Sequence, residues 1–329
     1  MNAAFLETPK TIQQKTVSTP DPAKGEVRVK MRQVGICGSD VHLFLGHRTL
    51  EKPTIIGHEG LGEIDAVGNG VPTNRIDERV VIEPNIPCGA CAFCTSARGS
   101  ICPNKRTIGL TEAGCFAEYV VLPSQFAWAI SKKVSDDDAV TIEPMAAGVH
   151  ALQVSSAKPG STIAVIGLGA IGLLLTHLAI AKGYKVCVSD INTDKMKLAE
   201  SMGALPAVGQ NLSQIWKENN VVSIFECAGV AATVTMAAKN APRGSEIILL
   251  GLSGDKAEIE PLRLVREGIR ILPSLIYDHP QDFKETIALI TSKTIQPSCI
   301  ISKYMPLSSL QSAMELAAEG NQTKIVINI

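Results

Sequence analysis

The sequence predicts an α/β protein, a β-rich domain followed by a doubly wound parallel sheet. Three observations carry this. Residues 1 to about 34 alternate apolar and polar side chains, as in GEVRVKMRQVGI, the period of half-buried antiparallel strands. Residues 161–166, STIAVI, form a continuous apolar run, as in a strand covered on both faces. From there to about residue 273, strand-like and helix-like segments alternate. At 329 residues the chain is long enough for about two domains and a large core.

Composition narrows the function classes. Hydrophobic residues make up 45% and charged residues 19%, ordinary for a globular protein. The formal net charge is −1 and no long basic run appears, so nucleic acid is not an expected partner. The start, MNAAFLETPK, lacks the basic-then-apolar pattern of a signal peptide. The longest apolar run, residues 171–181, contains Thr176 and His177 and is too short for a bilayer. The expectation is a cytoplasmic protein without a membrane partner. Nine cysteines without an export signal point the same way, and clustered thiols in a reducing compartment bind metal more often than they pair.

The first 34 residues read as short strands punctuated by Pro9, Pro20 and Pro22. Residues 35–71 then concentrate chemistry: a thiol (Cys37), an imidazole (His58), a carboxylate beside it (Glu59) and a relay-type pair (Ser39, His42). Ser39 or Asp40 can cap a short helix through Leu45, on which Ser39 and His42 share a face. Gly57, Gly60, Gly62, Gly68 and Gly70 imply tight turns around His58. Thiolate, imidazole and carboxylate suit zinc, and a catalytic zinc keeps three protein ligands and one open position.

Residues 79–84 read as another strand. Cys88, Cys91, Cys94 and Cys102 follow, a spacing that closes a tetrahedral sulfur cage with no position left open, hence a structural zinc. Only Ala90, Phe93 and Ile101 are available to pack inside that lobe. Cys115, Cys187, Cys227 and Cys299 read as buried small hydrophobes.

A β pattern returns from 116 to 130. Ser135 then opens a helix, DDDAVTIEPMAAGVHALQVSS, with Pro144 expected to break or kink it. Glu143 stands just before that proline, a carboxylate in an apolar stretch that needs a partner, a metal or solvent. After STIAVI comes GLGAIG at 167–172, an apolar helix to Gly183, and a second strand, KVCVS, ending in Asp190. This is a dinucleotide fingerprint in its proper context. Gly167, Gly169 and Gly172, with Ala170 and Ile171, bring backbone close to a pyrophosphate at a helix start. Asp190, eighteen residues after Gly172, can bind a ribose 2′-hydroxyl, which favours NAD; Lys195 is the nearest cation. A helix over 193–202 stops at Gly203, and strands near 205–208, 221–226, 246–250 and 269–273 complete six. Helices at 281–293 and 307–318 and a last strand, TKIVINI, fold back onto the first domain. The expected domains are 1–146 with a lobe at 84–105, 147–277, and a return over 278–329.

Together GICGSDVH, GHEGLGEIDAVGNGV, the four-cysteine lobe, EPMAAGVHAL, GLGAIG and EIILLGL resemble the zinc-dependent medium-chain alcohol dehydrogenases over the whole chain. GHE-x2-G-x5-G-x2-V is highly specific to that superfamily. Glu59 and the Glu143–Pro144 pair resemble its sorbitol, butanediol and threonine dehydrogenase branch. The resemblance implies a GroES-like catalytic domain, a Rossmann domain, two zinc ions per subunit, NAD, a small alcohol or ketone substrate, and a homodimer or homotetramer. It adds Gly251 to the cofactor residues. It implies a catalytic zinc on Cys37 and His58 with Glu59 or Glu143 as the carboxylate, facing the nicotinamide across an interdomain cleft. Ser39 would take the alcohol proton and pass it outward through His42. Three positions depart from the branch. Asp77 stands in place of the glycine of Gly-Asp-Arg-Val, Ile276 in place of an arginine, and Leu43 in place of a polar aromatic residue. The last two make the pocket less polar, so a simple secondary alcohol fits as well as a polyol. A zinc-independent reductase would not need Cys37, His58 and Glu59, and a dinucleotide sensor would not need Ser39, His42 or Glu143. A zinc-ribbon nucleic-acid binder would need more cations than Arg98, Lys105 and Arg106.

Overall fold

The structure is a computed structural model that describes every residue except Thr49, Val208 and Gln210. The chain divides into two compact units, one of residues 1–144 and 287–329, the other of residues 145–286. Among the described residues no helix is long and apolar enough to cross a membrane.

In the first unit, the alternating N-terminal pattern forms β1 (Asn2–Thr8), β2 (Thr11–Thr16) and β3 (Glu26–Gly35). Helix α1 (Gly38–Phe44) follows. Then come β4 (Thr54–Ile55), β5 (Glu59–Val67), β6 (Arg79–Ile82) and β7 (Asn85–Ile86). The cysteine lobe carries α2 (Ala92–Thr95), and β8 (Arg106–Thr107) closes it. Next are β9 (Tyr119–Pro123), β10 (Ala127–Ala129) and α3 (Asp136–Val140). Strands β2, β1 and β4 make a small sheet, and β3 lies at the heart of a larger one, between β5 and a strand from the chain's end. Val27, Val29 and Val34 of β3 are fully buried in the core of this unit, which also holds Phe44, Phe116 and Phe126.

The expected long helix over 135–155 is two. Ser135 caps α3, its hydroxyl accepting from the Asp138 amide at 3.1 Å, and α4 (Ile142–Val154) starts after Thr141. Pro144 has no N–H to give the Val140 carbonyl, so the ladder lapses before the proline, which itself sits in the tolerant first turn of α4. Asp77 has φ +67°, the left-handed region. The branch's glycine at this position is thus a conformational requirement, and aspartate is among the few side chains that meet it.

The second unit follows its sequence pattern closely. Strands β11 (Thr162–Ile166), β12 (Lys185–Ser189), β13 (Leu205–Pro206), β14 (Val221–Glu226), β15 (Glu246–Leu249) and β16 (Arg270–Pro273) alternate with helices. The helices are α5 (Ala170–Ala181), α6 (Thr193–Ser201), α7 (Leu212–Glu218), α8 (Ala231–Asn240) and α9 (Pro261–Glu267). All strands are parallel, in the order β13-β12-β11-β14-β15-β16, so the strand order reverses between β11 and β14. The third strand was expected over 205–208; Val208 lies outside the described residues.

After α10 (Gln281–Thr291), β17 (Lys303–Pro306), α11 (Leu310–Ala318) and β18 (Ile325–Asn328) end the chain. Strand β18 pairs antiparallel with β3, Val326 opposite Gly35, while β5 pairs on the other side with Glu59 opposite Gly35. Of the four remaining cysteines, Cys115 and Cys187 are buried as expected, Cys227 is half-buried, and Cys299 is exposed. Cys299 lies in a short 3₁₀ turn over Pro297–Ile300, whose inward side chains are Pro297 and Ile300.

One charged network lies inside the second unit. Glu246 is 1% exposed and accepts from the Ser155 and Ser223 hydroxyls, the Ser156 amide and the Arg270 guanidinium at 2.6–2.8 Å. Burial alone would raise its pKa, but these hydrogen bonds outweigh burial and hold it below the usual 4.5. A carboxylate with a depressed folded pKa stabilises the fold above its unfolded value, and that contribution fades as pH falls through the folded value. Glu246→Gln should therefore flatten the fall of Tm below about pH 4.5. Parallel acid melting curves for wild type and variant check this.

Candidate active site

The dinucleotide loop lies at the switch point of the second unit. Gly167 has φ +88°, and a Cβ there would meet the Ala228 amide at 2.6 Å. A Cβ on Gly172 would lie 1.9 Å from the Gly167 carbonyl oxygen, so the helix start packs against the turn with no room for a side chain. Gly169, the N-cap of α5, has open space where its Cβ would be, room for a ligand beside the free amides of Ala170 and Ile171. Asp190 ends β12; its carboxylate accepts from the Leu168 amide at 2.5 Å and the Asn192 amide at 2.7 Å. This ties the acid to the glycine turn and leaves carboxylate lone pairs available. Ile191 beside it is fully exposed. The Lys195 amide helps cap α6 through the Asn192 side chain. Gly251 follows β15, and a Cβ there would strike the Gly229 amide at 2.2 Å.

The second constellation is built in the first unit by the ends of β3 and β5 and the start of α1. One donor atom from each of Cys37, His58 and Glu59 lies within 4.8 Å of the other two. Cys37 is the N-cap of α1, and Asp40, not Ser39, closes that turn, its carboxylate accepting from the Cys37 amide at 3.0 Å. Asp40 is fully buried; it also accepts from the Gly57 amide at 3.2 Å and lies 3.4 Å from His58 Nδ1. Nδ1 itself is buried without a well-formed hydrogen bond. An acid behind one ring nitrogen orients the other as a donor, the arrangement found behind metal-bound imidazoles. Burial alone would disfavour charge on His58, but the Asp40 and Cys37 charges outweigh it and hold its pKa well above the usual 6.5. The site is thus strongly electronegative, and its mixed soft and hard donors suit zinc.

Ser39 Oγ lies 3.5 Å from His58 Nε2, at the edge of this donor set. His42 is exposed further along α1, its Nδ1 3.2 Å from His47 Nδ1. Glu143, in the first turn of α4, is 8% exposed. It is not grouped with the three convergent donors, yet its charge reaches both Cys115 and Lys324. Burial, with a smaller push from Asp40 and Glu143, raises the Cys115 thiol to about 12, which makes it inert.

Sequence reasoning missed Lys324 and the placement of Asp40. Lys324 is 3% exposed, and its ammonium meets both Glu59 oxygens, at 2.7 and 2.6 Å. The available signal was a single lysine directly before the apolar terminal strand, a position where a cation needs a buried partner. Leu43 and Ile276 fall in different settings. Leu43 is 1% exposed within the core of the first unit, whereas Ile276 is half-buried with φ +58° beside Tyr277, which stacks edge-on against Phe283.

Four thiols gather in the lobe. Sγ separations are 3.5 Å for Cys91–Cys94, 3.8 Å for Cys91–Cys102 and 3.9 Å for Cys88–Cys94. A tetrahedron with Zn–S bonds of about 2.3 Å has edges of about 3.8 Å, so the spacing fits zinc. The amides of Ala90 and Cys91 bring the Cys88 thiol down to about 6, while burial and neighbouring thiols push Cys94 up to about 12. Ala90 and Ile101, expected inside, are exposed; only Phe93 is half-buried, with Arg98 over its ring. The lobe has sulfur where other domains have a core.

Comparison with known proteins places these sites in context. A family model described as an alcohol dehydrogenase GroES-like domain matches residues 23–132, and one described as a zinc-binding dehydrogenase matches residues 170–292. A sorbitol dehydrogenase of Bacillus subtilis (strain 168) is 30% identical over 333 aligned positions, covering 97% of this chain and 94% of its own. An alcohol dehydrogenase of Escherichia coli CFT073, solved with NADH, superposes with a TM-score of 0.94 at 28% identity, covering 100% of this chain and 99% of its own. A zinc-binding dehydrogenase of Sinorhizobium meliloti 1021, bound to NADP, gives 0.92 at 30% identity with the same coverage.

Because its apolar content is so small, the lobe should depend on metal for its shape. Cys91→Ser should lower Tm and zinc content more than it lowers the turnover of the molecules that remain folded. Differential scanning fluorimetry alongside active-site titration checks this; a fully stable variant that has lost hydride transfer would contradict it.

Proposed function

Because this chain belongs to the zinc-dependent medium-chain alcohol dehydrogenase superfamily, we propose that it oxidises a secondary alcohol or polyol reversibly with NAD and a catalytic zinc. The observation that carries this reading is the convergence of Cys37, His58 and Glu59 donor atoms within 4.8 Å. Cys37 and His58 would hold the catalytic zinc, with Glu59 or Glu143 as the carboxylate, and Cys88, Cys91, Cys94 and Cys102 a structural one. What zinc supplies when bound is Lewis acidity toward an alcohol oxygen, and what nicotinamide supplies is a hydride acceptor.

The chain's own groups do the rest. The Cys37 thiolate and one carboxylate balance the two positive charges of zinc, and His58 serves as a neutral donor oriented by Asp40. Ser39, beside His58, would accept the alcohol proton as it gives its own to the cofactor's ribose hydroxyls, and exposed His42 would release that proton toward solvent. Gly167, Gly169 and Gly172, with the Ala170 and Ile171 amides, bind the pyrophosphate, and Gly251 keeps the neighbouring turn free of side chains. Asp190 receives the ribose 2′-hydroxyl; a 2′-phosphate there would meet its negative charge, with Lys195 as the nearest relief. The sorbitol dehydrogenase relative supports a polyol-like substrate, and Ile276, in place of the branch's arginine, favours a less hydroxylated one; Leu43 lies in the core and has no part in this. The family reading also supports a homodimer or homotetramer.

Two outcomes test this. Cys37→Ser and His58→Ala should each lower kcat/KM by a factor of at least about 10³, with NADH affinity by fluorescence titration unchanged. Loss of NADH binding in step with activity would contradict the assignment. In steady-state assays over an alcohol panel, kcat/KM should favour NAD over NADP by at least about tenfold; preference for NADP would remove Asp190 from its role.

A further inference from the structure

Lys324 is the one cation among the described residues found hydrogen-bonded to the Glu59 carboxylate, and it comes from the far end of the chain, 265 residues away. Both side chains are 1% exposed. The ammonium has three hydrogens, and three acceptors meet it: Glu59 Oε1, Glu59 Oε2 and the Ile36 carbonyl at 3.1 Å. No donor is left over for a substrate. The Lys324 backbone is fixed as well, its carbonyl accepting from the Ser302 amide at 2.8 Å and the Ser302 hydroxyl at 3.1 Å. On the other side, a Cβ on Gly35 would lie 2.1 Å from Glu59 Oε2, so the glycine makes room for the carboxylate to turn toward the lysine.

We propose that Lys324 is a positioning residue that holds Glu59 off the catalytic metal, so that one coordination position stays open. The inference rests on the proposed zinc site of Cys37 and His58 and goes beyond it. Charge balance supports it. The Cys37 thiolate, Glu59, Glu143 and the buried Asp40 bring four negative charges to a divalent ion, and Lys324 offsets one of the two left over. Without the lysine, Glu59 is a buried carboxylate whose nearest compensating charge is the metal itself. It would then bind the metal and fill the position that substrate needs.

Cobalt-substituted protein tests this apart from turnover. Lys324→Met should bind the catalytic metal more tightly, by about tenfold in chelator competition. Its visible cobalt bands should weaken toward those of a five-coordinate ion, with NADH affinity unchanged. Lys324→Arg should keep the wild-type spectrum and metal affinity. If Lys324→Met does not fold, Glu59→Gln in the presence of Lys324 decides the matter. A carboxylate held off the metal can be replaced by its amide without altering the cobalt spectrum; an altered one overturns the proposal. So does a Lys324→Met protein with wild-type spectrum and affinity. Wild-type protein that takes up a single metal per subunit would overturn the zinc reading beneath it, and this inference with it, before any variant is made.

Discussion

At the end of β3 a buried lysine and a buried glutamate must find each other, and the chemistry of the first unit is arranged around that meeting. Strand β3 runs between β5 and β18, so Gly35 has Glu59 opposite it on one side and Val326 on the other. The register fixes which side chains can meet there. Glu59 fills the volume that Gly35 leaves empty, and Lys324 reaches it from the position just before β18. Removing one member of such a pair leaves an uncompensated buried charge, a cost of about 3–5 kcal/mol. The C-terminal return therefore supplies the cation that neutralises Glu59.

Steric exclusion organises the second unit. The start of α5 is pressed against its own turn so closely that Gly172 cannot carry a Cβ, and a Cβ on Gly167 is excluded by Ala228 in the turn after β14. Gly169 alone of the three faces open space. The backbone is thus compact on the inside and bare on the outside, where phosphate oxygens would approach amides. Asp190 is pinned to the same turn through Leu168, so the loop and the acid proposed to read the ribose are held together.

The parallel sheet was the most legible part of the sequence, because each strand–helix step is local and carries its own apolar run and glycine stop. Donor types were legible too, as Cys37, His58 and Glu59 on glycine-rich turns. Their approach to within 4.8 Å is a property of strand register, which a linear pattern does not state. Lys324 was hidden for the same reason: its partner is 265 residues away, and nothing in the local sequence says which carboxylate it meets. The helix break falls at Thr141, three residues before Pro144, because a proline leaves the carbonyl four residues earlier without its donor rather than breaking the helix at its own position. Exposure of Cys299, Ala90 and Ile101 follows from short 3₁₀ turns and a sulfur-centred lobe, where hydrophobicity alone does not decide what is inside.

A catalytic metal on Cys37 and His58 and a structural metal on the four cysteines, as proposed, would have separate consequences. Stepwise chelation of the native enzyme separates them, with zinc per subunit, NADH formation and thermal stability measured on the same samples. Activity should disappear with the loss of one zinc equivalent while Tm follows the other. Full hydride transfer from protein that retains only the zinc of the four-cysteine lobe would contradict it.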